Sequence, residues 1–479
     1  MNYRVVLNIL GKVLVVEAIL LLFPMATALW YDESVQPFLY TMLPLLILGG
    51  VLNHIRPKSS DLFAREGFVV VGLSWVLMSA FGALPFFFSG DIPRYIDALF
   101  ETVSGFTTTG SSILTDVEAM SRGCMTWRLF THWVGGMGVL VFIAAILPIS
   151  GDHYIHVMRA EVPGPTVSKL VPKARKTARI LYMIYAGLTF LEFLFLVCGG
   201  MGVHEAALHA FATAGTGGFS TRGASIAAFE SVYIEMVVAV FMMLFGVNFN
   251  LFYFILLGQG LSIFKSEELR VYLALMFGST LVIALNIMHS VGGFGQGLRY
   301  AYFQVATVMS TTGFATHDFD KWPELSRCLL VLLMFGGACA GSTAGGLKIS
   351  RVIILFKSYL YELKQLILPT RVKRIWFEGK SVSDQTVRSV LVYFQTYIAI
   401  TGLSVLLLTL DGHDIVTNLT ASIACISNIG PGLGLVGPTG NFAFFSTPSK
   451  LVLIFEMLLG RLEIFPMMFL FAPSVWRKR

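Results

Sequence analysis

The sequence predicts an all-α integral membrane protein, with four span–pore-helix–filter–span repeats around a central pore and an N-terminal two-helix hairpin. Three observations predict this fold. The 479-residue chain is 56% hydrophobic and only 13% charged, whereas soluble domains are roughly 25% charged. Ten apolar runs are about long enough to cross a bilayer. A short stretch rich in Thr, Ser and Gly occurs in four related copies, each after an apolar segment too brief to span.

The apolar runs divide the chain into a hairpin and four repeats. They lie at residues 5–29, 37–55, 67–89, 127–149, 179–200, 232–263, 269–289, 325–365 (interrupted), 388–410 and 449–472. The first run also resembles a signal peptide, but its length and Glu17 favour a membrane span. The predicted units are the hairpin 1–60 and the repeats 61–150, 151–265, 266–383 and 384–479.

Basic residues predict the orientation of the chain. Cytoplasmic loops of membrane proteins carry an excess of Lys and Arg, and here such residues concentrate in alternate loops. The net charge of +6 therefore reflects topology and indicates no nucleic-acid partner. We expect a multi-pass protein with both termini in the cytoplasm and filters that open outward. The basic loops include Arg56, Lys58, Arg159, Lys169, Lys173, Lys357, Lys364, Arg371, Lys373, Arg374 and Arg477.

The four Thr/Ser/Gly stretches, here called filter segments 1 to 4, would form the walls of one pore. Non-helical backbone is tolerated at membrane depth only where it is buried in protein or lines a watery cavity. A ring of carbonyl oxygens can replace a cation's hydration shell, and glycine reaches positive φ without a Cβ clash. One glycine per segment is the candidate: Gly110, Gly218, Gly313 and Gly430. The segments comprise Thr107, Thr108, Thr109, Gly110, Ser111; Gly215, Thr216, Gly217, Gly218, Phe219; Ser310, Thr311, Thr312, Gly313, Phe314; and Ser427, Asn428, Ile429, Gly430, Pro431.

A glycine-rich string in the inner span of the third repeat predicts a break in that span. Each glycine costs a helix up to about 1 kcal/mol relative to alanine. A loop at this place, just below the filter, would cross the conduction path as a gate. The alternative is a glycine-rich face for close helix packing. The candidate gate residues are Ala340, Gly341, Ser342, Thr343, Ala344, Gly345, Gly346 and Lys348.

Polar residues inside two inner spans are further candidates, because burying them without partners is expensive. Arg461 either projects into the pore as an electrostatic barrier or pairs with Glu463 or Glu456. Asn248 and Asn250, in the second repeat, either bond between helices or line the pore.

No pattern in the sequence indicates an enzyme. We find no nucleophile–base pair, and the five cysteines lack paired spacing. His204 and His209 are five residues apart and miss the i, i+4 zinc pattern. His132, beside Trp133, is interpreted as an anchor at the outer membrane interface.

Taken together, these features resemble the bacterial TrkH potassium-transport subunits of the TrkH, KtrB and plant HKT superfamily. The resemblance covers essentially the whole chain, and the strings 341–348 and 460–463 are its most specific parts. The extra hairpin favours TrkH over KtrB. The resemblance implies one filter glycine per repeat, a gating loop at 340–346 and a gate arginine at Arg461. Filter segment 4 departs from the pattern because it lacks the Thr pair.

The resemblance also implies potassium uptake across the bacterial inner membrane. It implies a homodimer, with a pore in each subunit, that binds a cytoplasmic TrkA-like ring of RCK domains. The partner would bind a nucleotide, ATP/ADP or NAD, while this chain holds only K⁺. The alternative is an ion-coupled (Na⁺ or H⁺) secondary transporter of a monovalent cation, but the filter segments carry no carboxylate. Expected K⁺ ligands are Thr108, Thr109, Thr216, Gly217, Thr311, Thr312, Asn428 and Ile429.

Overall fold

The computed structural model describes residues 1–55, 64–138, 174–367 and 374–476. The predicted basic residues in 56–63, 139–173, 368–373 and 477–479, and the end of the run 127–149, lie outside these ranges. The described helices and strands are α1 (Tyr3–Leu20), α2 (Leu22–Trp30), α3 (Gln36–His54), α4 (Ala64–Gly82), α5 (Leu84–Ser89), α6 (Tyr95–Phe106), α7 (Arg122–Gly136), α8 (Ala174–Cys198), α9 (Val203–Gly215), α10 (Val232–Phe245), α11 (Phe249–Leu256), α12 (Glu267–Ile287), α13 (Phe294–Met309), α14 (Glu324–Gly336), α15 (Ile349–Ile367), β1 (Ile375–Phe377), β2 (Lys380–Val382), α16 (Asp384–Leu408), α17 (Ile415–Ser427), α18 (Thr447–Arg461), α19 (Phe465–Phe469) and α20 (Pro473–Trp476).

The helices confirm an all-α membrane fold. Six of them, by length and hydropathy, could cross a membrane within the described ranges. They coincide with the predicted runs that begin at residues 5, 37, 67, 179, 269 and 388. The small antiparallel β1–β2 hairpin precedes α16. The spanning helices are Tyr3–Trp30, Gln36–His54, Arg65–Ser89, Ala178–Cys198, Glu267–Ile287 and Asp384–Asp411.

The repeats close into a ring. Each has an outer helix (α4, α8, α12, α16), a pore helix (α6, α9, α13, α17) and an inner helix (α7, α10, α14, α18). Each inner helix packs on the pore helix of its own repeat and on that of the next: α7 on α9, α10 on α13, α14 on α17, and α18 back on α6. The N-terminal hairpin packs on the first repeat, through α1 with α4 and α2 with α7.

The second inner span is bent, and the prediction of one continuous run at 232–263 is wrong. The axes of α10 and α11 differ by 93°. The amide of Cys339 donates to the carbonyl of Gly246 at 3.1 Å, and the amide of Phe249 donates to Gly341 at 3.0 Å. The glycine-rich loop of the third repeat thus forms hydrogen bonds with the backbone groups that have no partner within the bent helix. This partner is distant in sequence, so hydrophobic periodicity could not reveal it.

The two predicted amides therefore lie at a helix start rather than in mid-span. Asn248 Oδ1 accepts from the amide of Asn250 at 3.0 Å and caps α11. Such a cap satisfies an amide that the first turn of a helix leaves open.

The third inner span breaks where the glycine-rich string predicts. The amide of Leu347 donates to Phe335 at 3.2 Å, so the loop returns close to the point at which it leaves α14. Gly337 has φ 64°, and a Cβ there would lie 2.6 Å from the carbonyl oxygen of Gly345. Only glycine fits this approach.

Two adjacent glycines in α3 of the N-terminal helical hairpin give a matched test of packing. A Cβ at Gly49 would lie 2.9 Å from the Val15 side chain and 3.0 Å from Gly11 O, whereas Gly50 faces open space. We expect Gly49→Ile to cost about 1–3 kcal/mol through overpacking, and so to lower the melting temperature of the purified protein by roughly several degrees. Gly50→Ile should melt like the unchanged protein; equal melting of both variants would contradict this packing.

Candidate functional site

All four filter segments leave their pore helices in the same way. One residue takes the left-handed conformation, at φ 55°, 55°, 57° and 55° in segments 1 to 4. The next amide then donates back to the fifth residue before it, at 2.8, 2.9, 2.9 and 2.9 Å. Segment 4 shares this geometry despite its different sequence. The left-handed residues are Thr108, Thr216, Thr311 and Asn428.

Two residues further on, each segment has a glycine with positive φ, as predicted. The angles are 81°, 77°, 91° and 96° in segments 1 to 4. In each case an added Cβ would overlap the carbonyl oxygen of the residue that precedes the glycine of the next segment. These pairs are Gly110 with Gly217, Gly218 with Thr312, Gly313 with Ile429, and Gly430 with Thr109.

The carbonyls of Thr109, Gly217, Thr312 and Ile429 therefore lie in a closed ring, because the fourth segment returns to the first. This ring is the central feature of the site. The pore helices α6, α9, α13 and α17 all end at it. Helix C-termini carry partial negative charge, so the ring and the four helix ends together favour a cation.

The left-handed threonines are a feature that sequence reasoning missed. For an L-residue this conformation costs about 1–2 kcal/mol, and β-branched residues rarely adopt it. Such strain persists only where the surroundings enforce it and clusters at functional sites. The shared signal is a Thr or Asn two residues before each glycine, but residue type alone does not reveal φ.

In three repeats, a polar side chain nine residues before the filter glycine bonds to the chain that follows the filter segment. All three are buried. All three lie at the same offset in the sequence, but they are of different residue types, so the offset does not stand out as a pattern. The bonds are Glu101 Oε1 with Ser112 Oγ at 2.9 Å, His209 Nε2 with Ser220 Oγ at 3.0 Å, and Gln304 Nε2 with His317 O at 3.3 Å.

A buried ion pair within the first repeat lies beside the filter, and its arginine also contacts the second repeat. Arg128 Nε contacts Glu101 Oε1 at 2.6 Å, with side chains 3% and 0% exposed. Arg128 also donates to Ser220 O at 3.0 Å and lies 3.6 Å over the ring of Phe219. Removing one partner of such a pair costs about 3–5 kcal/mol. The pair holds Arg128 in place, and Arg128 in turn binds the end of segment 2.

A cavity of about 150 Å³ lies over the filter and is lined by all four filter glycines. Arg128 and Arg222 also line it. Both have acidic partners, since Arg222 contacts Glu205 at 2.8 Å. The positive charge at this entrance is therefore locally balanced.

The predicted gate loop lies directly against the other end of the filter. The amide of Gly345 donates to Thr311 Oγ1 at 2.7 Å. A Cβ at Gly345 would overlap Ser427 O, so the loop approaches segment 4 as closely as backbone allows. Thr343 Oγ1 donates to Phe245 O, at the end of α10, at 3.3 Å.

Arg461 binds backbone carbonyls of two other repeats. It donates to Thr343 O at 2.7 Å, to Gly135 O at 2.5 Å and to Gly136 O at 2.6 Å. The last two acceptors belong to the final turn of α7, where the helix dipole favours a cation. Together the loop and Arg461 touch all four repeats beneath the filter.

The two carboxylates considered as partners of Arg461 also have bonds elsewhere. Glu463 pairs with Arg351, whose guanidinium lies 4.0 Å over the ring of Tyr393. Glu456 Oε1 accepts from Ser422 Oγ at 2.6 Å.

Glu268 anchors both ends of the gate loop. Its Oε1 accepts from the amide of Ala340 at 2.8 Å and from that of Ser350 at 3.0 Å. Lys348 Nζ donates to Ala344 O within the loop. Glu268 lies on α12, far from the loop in sequence, and nothing in its own segment indicates this role.

His132 is not an interfacial anchor, and that prediction is wrong. Its side chain is 0% exposed. Nδ1 lies 2.7 Å from Gly105 O, and Nε2 accepts from the amide of Phe219 at 3.2 Å. The histidine thus lies behind the filter, between repeats 1 and 2.

The ring of four re-entrant segments within a membrane-spanning helical scaffold defines a pore-loop transport protein. A family model described as "TrkH: Cation transport protein" matches residues 34–478. The chain belongs to this TrkH family of cation transporters.

Named relatives match the chain over its full length. The Trk system potassium uptake protein TrkH of Escherichia coli strain K12 is 35% identical, covering 100% of both sequences. TrkG of the same organism, also called a potassium uptake protein, is 33% identical over 99% of both. The crystal structure of the potassium transporter TrkH from Vibrio parahaemolyticus has a TM-score of 0.89 at 32% identity, covering 100% of both chains.

The filter glycines give a direct test. Gly110→Ser or Gly313→Ser would place a Cβ against the neighbouring carbonyl at a left-handed position. Strain of about 1–2 kcal/mol there should lower the K⁺/Na⁺ permeability ratio by roughly tenfold. Reversal potentials in planar bilayers measure this ratio.

Gly90→Ser is the matched control, because Gly90 has φ 82° but faces open space. It should leave the permeability ratio unchanged. Normal ratios in both filter variants would refute the filter assignment.

Proposed function

We propose that this chain takes up K⁺ across the bacterial inner membrane through the pore at the centre of its four repeats. The observation that carries the proposal is the closed ring of carbonyls at Thr109, Gly217, Thr312 and Ile429. The names of the relatives, which are potassium uptake proteins, agree with it.

In this proposal the filter replaces the water around K⁺ with backbone and hydroxyl oxygens. The ion enters through the cavity above the glycines and meets the ends of four pore helices. Helix C-termini stabilise it without a formal negative charge, so binding stays weak enough for release. The proposed ligands are the backbone or side-chain oxygens of Thr108, Thr109, Thr216, Gly217, Thr311, Thr312, Asn428 and Ile429.

The loop 340–346 acts as the gate in this proposal. The loop bonds to Thr311 and Phe245, and Arg461 ties it to α7 by binding both Thr343 O and the last carbonyls of that helix. Opening has to break these contacts. Arg461 adds a fixed positive charge to a path for cations, which raises the barrier further.

Regulation and assembly belong to the same proposal. Two chains would form a dimer with a pore in each. Both termini would be cytoplasmic. The N-terminal hairpin would comprise residues 1–60, and the four repeats 61–150, 151–265, 266–383 and 384–479. A TrkA-like ring that binds ATP/ADP or NAD would pull on α15. Lys357 on α15 donates to Trp376 O at 2.7 Å, which connects α15 to the β1–β2 hairpin and supports this route.

Deleting residues 340–346 tests the gate. The deletion removes the loop's contacts with the filter, so Rb⁺ should enter liposomes that contain only the variant chain. The unchanged chain should show low flux without a partner. Low flux in the deletion variant that still requires an added partner would refute the loop as gate.

Arg461→Ala tests the charge beneath the filter. It removes three charge-assisted hydrogen bonds, each contributing about 1.5–3 kcal/mol, and one cation from the path. Rb⁺ flux should therefore rise by on the order of tenfold. Arg461→Lys keeps the charge and should raise the flux less. Unchanged flux with a lower melting temperature would instead assign Arg461 a structural role.

A further inference from the structure

Hydroxyl groups brace three filter segments: pairs within the segment in segments 1 and 3, and a pair between the segment and a tyrosine of α16 in segment 4. The positions concerned lie three residues and one residue before the filter glycine. Segment 2 has glycine at both positions, so it cannot brace itself in this way. The braces are Thr107 with Thr109 at 2.8 Å, Ser310 with Thr312 at 2.7 Å, and Ser427 with the hydroxyl of Tyr397 at 2.6 Å.

His132 fills the space behind segment 2. A Cβ on Gly217 would overlap ring atoms of His132, and a Cβ on Gly215 would overlap its backbone carbonyl. Gly217 is thus required by the imidazole of His132, and Gly215 by the backbone of the inner helix that carries it. The imidazole thus braces segment 2, which has no hydroxyl at either of the two positions.

The bonds of His132 determine its tautomer. The amide of Phe219 can only donate, so Nε2 must be unprotonated and accept from it at 3.2 Å. The carbonyl of Gly105 can only accept, so Nδ1 carries the proton and donates to it at 2.7 Å. One neutral ring therefore connects the end of pore helix α6 to segment 2.

The bond to Phe219 orients a carbonyl of the filter. The described chain has no cis peptide bonds, and in a trans peptide the N–H and the preceding C=O point in opposite directions. Because the Phe219 N–H points at His132, the Gly218 C=O points away from it, towards the opposite side of the segment. The ring centroids of Phe219 and His132 lie 4.2 Å apart, so this contact helps to hold the same peptide.

We propose that His132 is a specificity-determining positioning residue. It acts through the Gly218–Phe219 peptide and keeps the Gly218 carbonyl turned towards the ion path. The inference rests on the proposed K⁺ function of the filter. It differs from a packing role because it requires the hydrogen-bond acceptor at Nε2, not only the volume of the ring.

The test compares His132→Phe with His132→Gln in the full-length protein. Phe fills the space but has no acceptor, whereas Gln carries an accepting oxygen and a donating nitrogen on a single side chain. We expect His132→Phe to lower the K⁺/Na⁺ permeability ratio by roughly tenfold, equivalent to about 1.4 kcal/mol, and His132→Gln to keep it within about twofold of the unchanged protein. Reversal potentials in planar bilayers give the ratio, and melting temperatures monitor folding.

The outcomes separate this inference from the filter assignment. If Gly313→Ser lowers the ratio but His132→Phe does not, the inference about His132 is overturned and the filter stands. If neither lowers it, the filter assignment itself fails. Equal loss of selectivity in His132→Phe and His132→Gln also overturns the inference. Should His132→Phe fail to fold, the smaller apolar variant His132→Leu takes its place in the same comparison.

Discussion

Backbone groups that leave a helix inside a membrane need partners within the protein, and most of this structure follows from that constraint. The filter segments return amides to their own pore helices. The break in the third inner span and the bend in the second satisfy each other, through Cys339 with Gly246 and Phe249 with Gly341. The two irregularities are therefore one feature, since neither could stay bonded alone.

Helix C-termini favour positive charge at two places in this structure. Four pore-helix C-termini meet at the filter segments, where their partial negative charge favours a cation. Below these segments, the last carbonyls of α7 bind the guanidinium of Arg461, a cation tethered to the chain. Arginine cannot lose its proton in a protein, so this tethered charge is present at every physiological pH. In the proposed mechanism, opening the path therefore requires other acceptors for Arg461.

Much of the fold and the centre of the site could be predicted from the sequence. Hydropathy located the spans, and recurring glycines located the four re-entrant segments and the broken inner helix, because glycine marks backbone that other residues avoid. The bend near Asn248 and the contacts of His132 and Glu268 could not be predicted, since each depends on a partner that is distant in sequence. Their own segments read as ordinary apolar or capping sequence, and only the closed ring brings the partners together.

The four walls of the filter are chemically unlike, although their backbones match. Hydroxyl pairs brace segments 1 and 3, a tyrosine hydroxyl contacts segment 4, and an imidazole braces segment 2. In a channel made of four identical subunits, one codon change alters every wall at once. Here a codon change alters a single wall. In the proposed filter, a substitution would therefore change the ion preference through one wall while the other three keep their geometry.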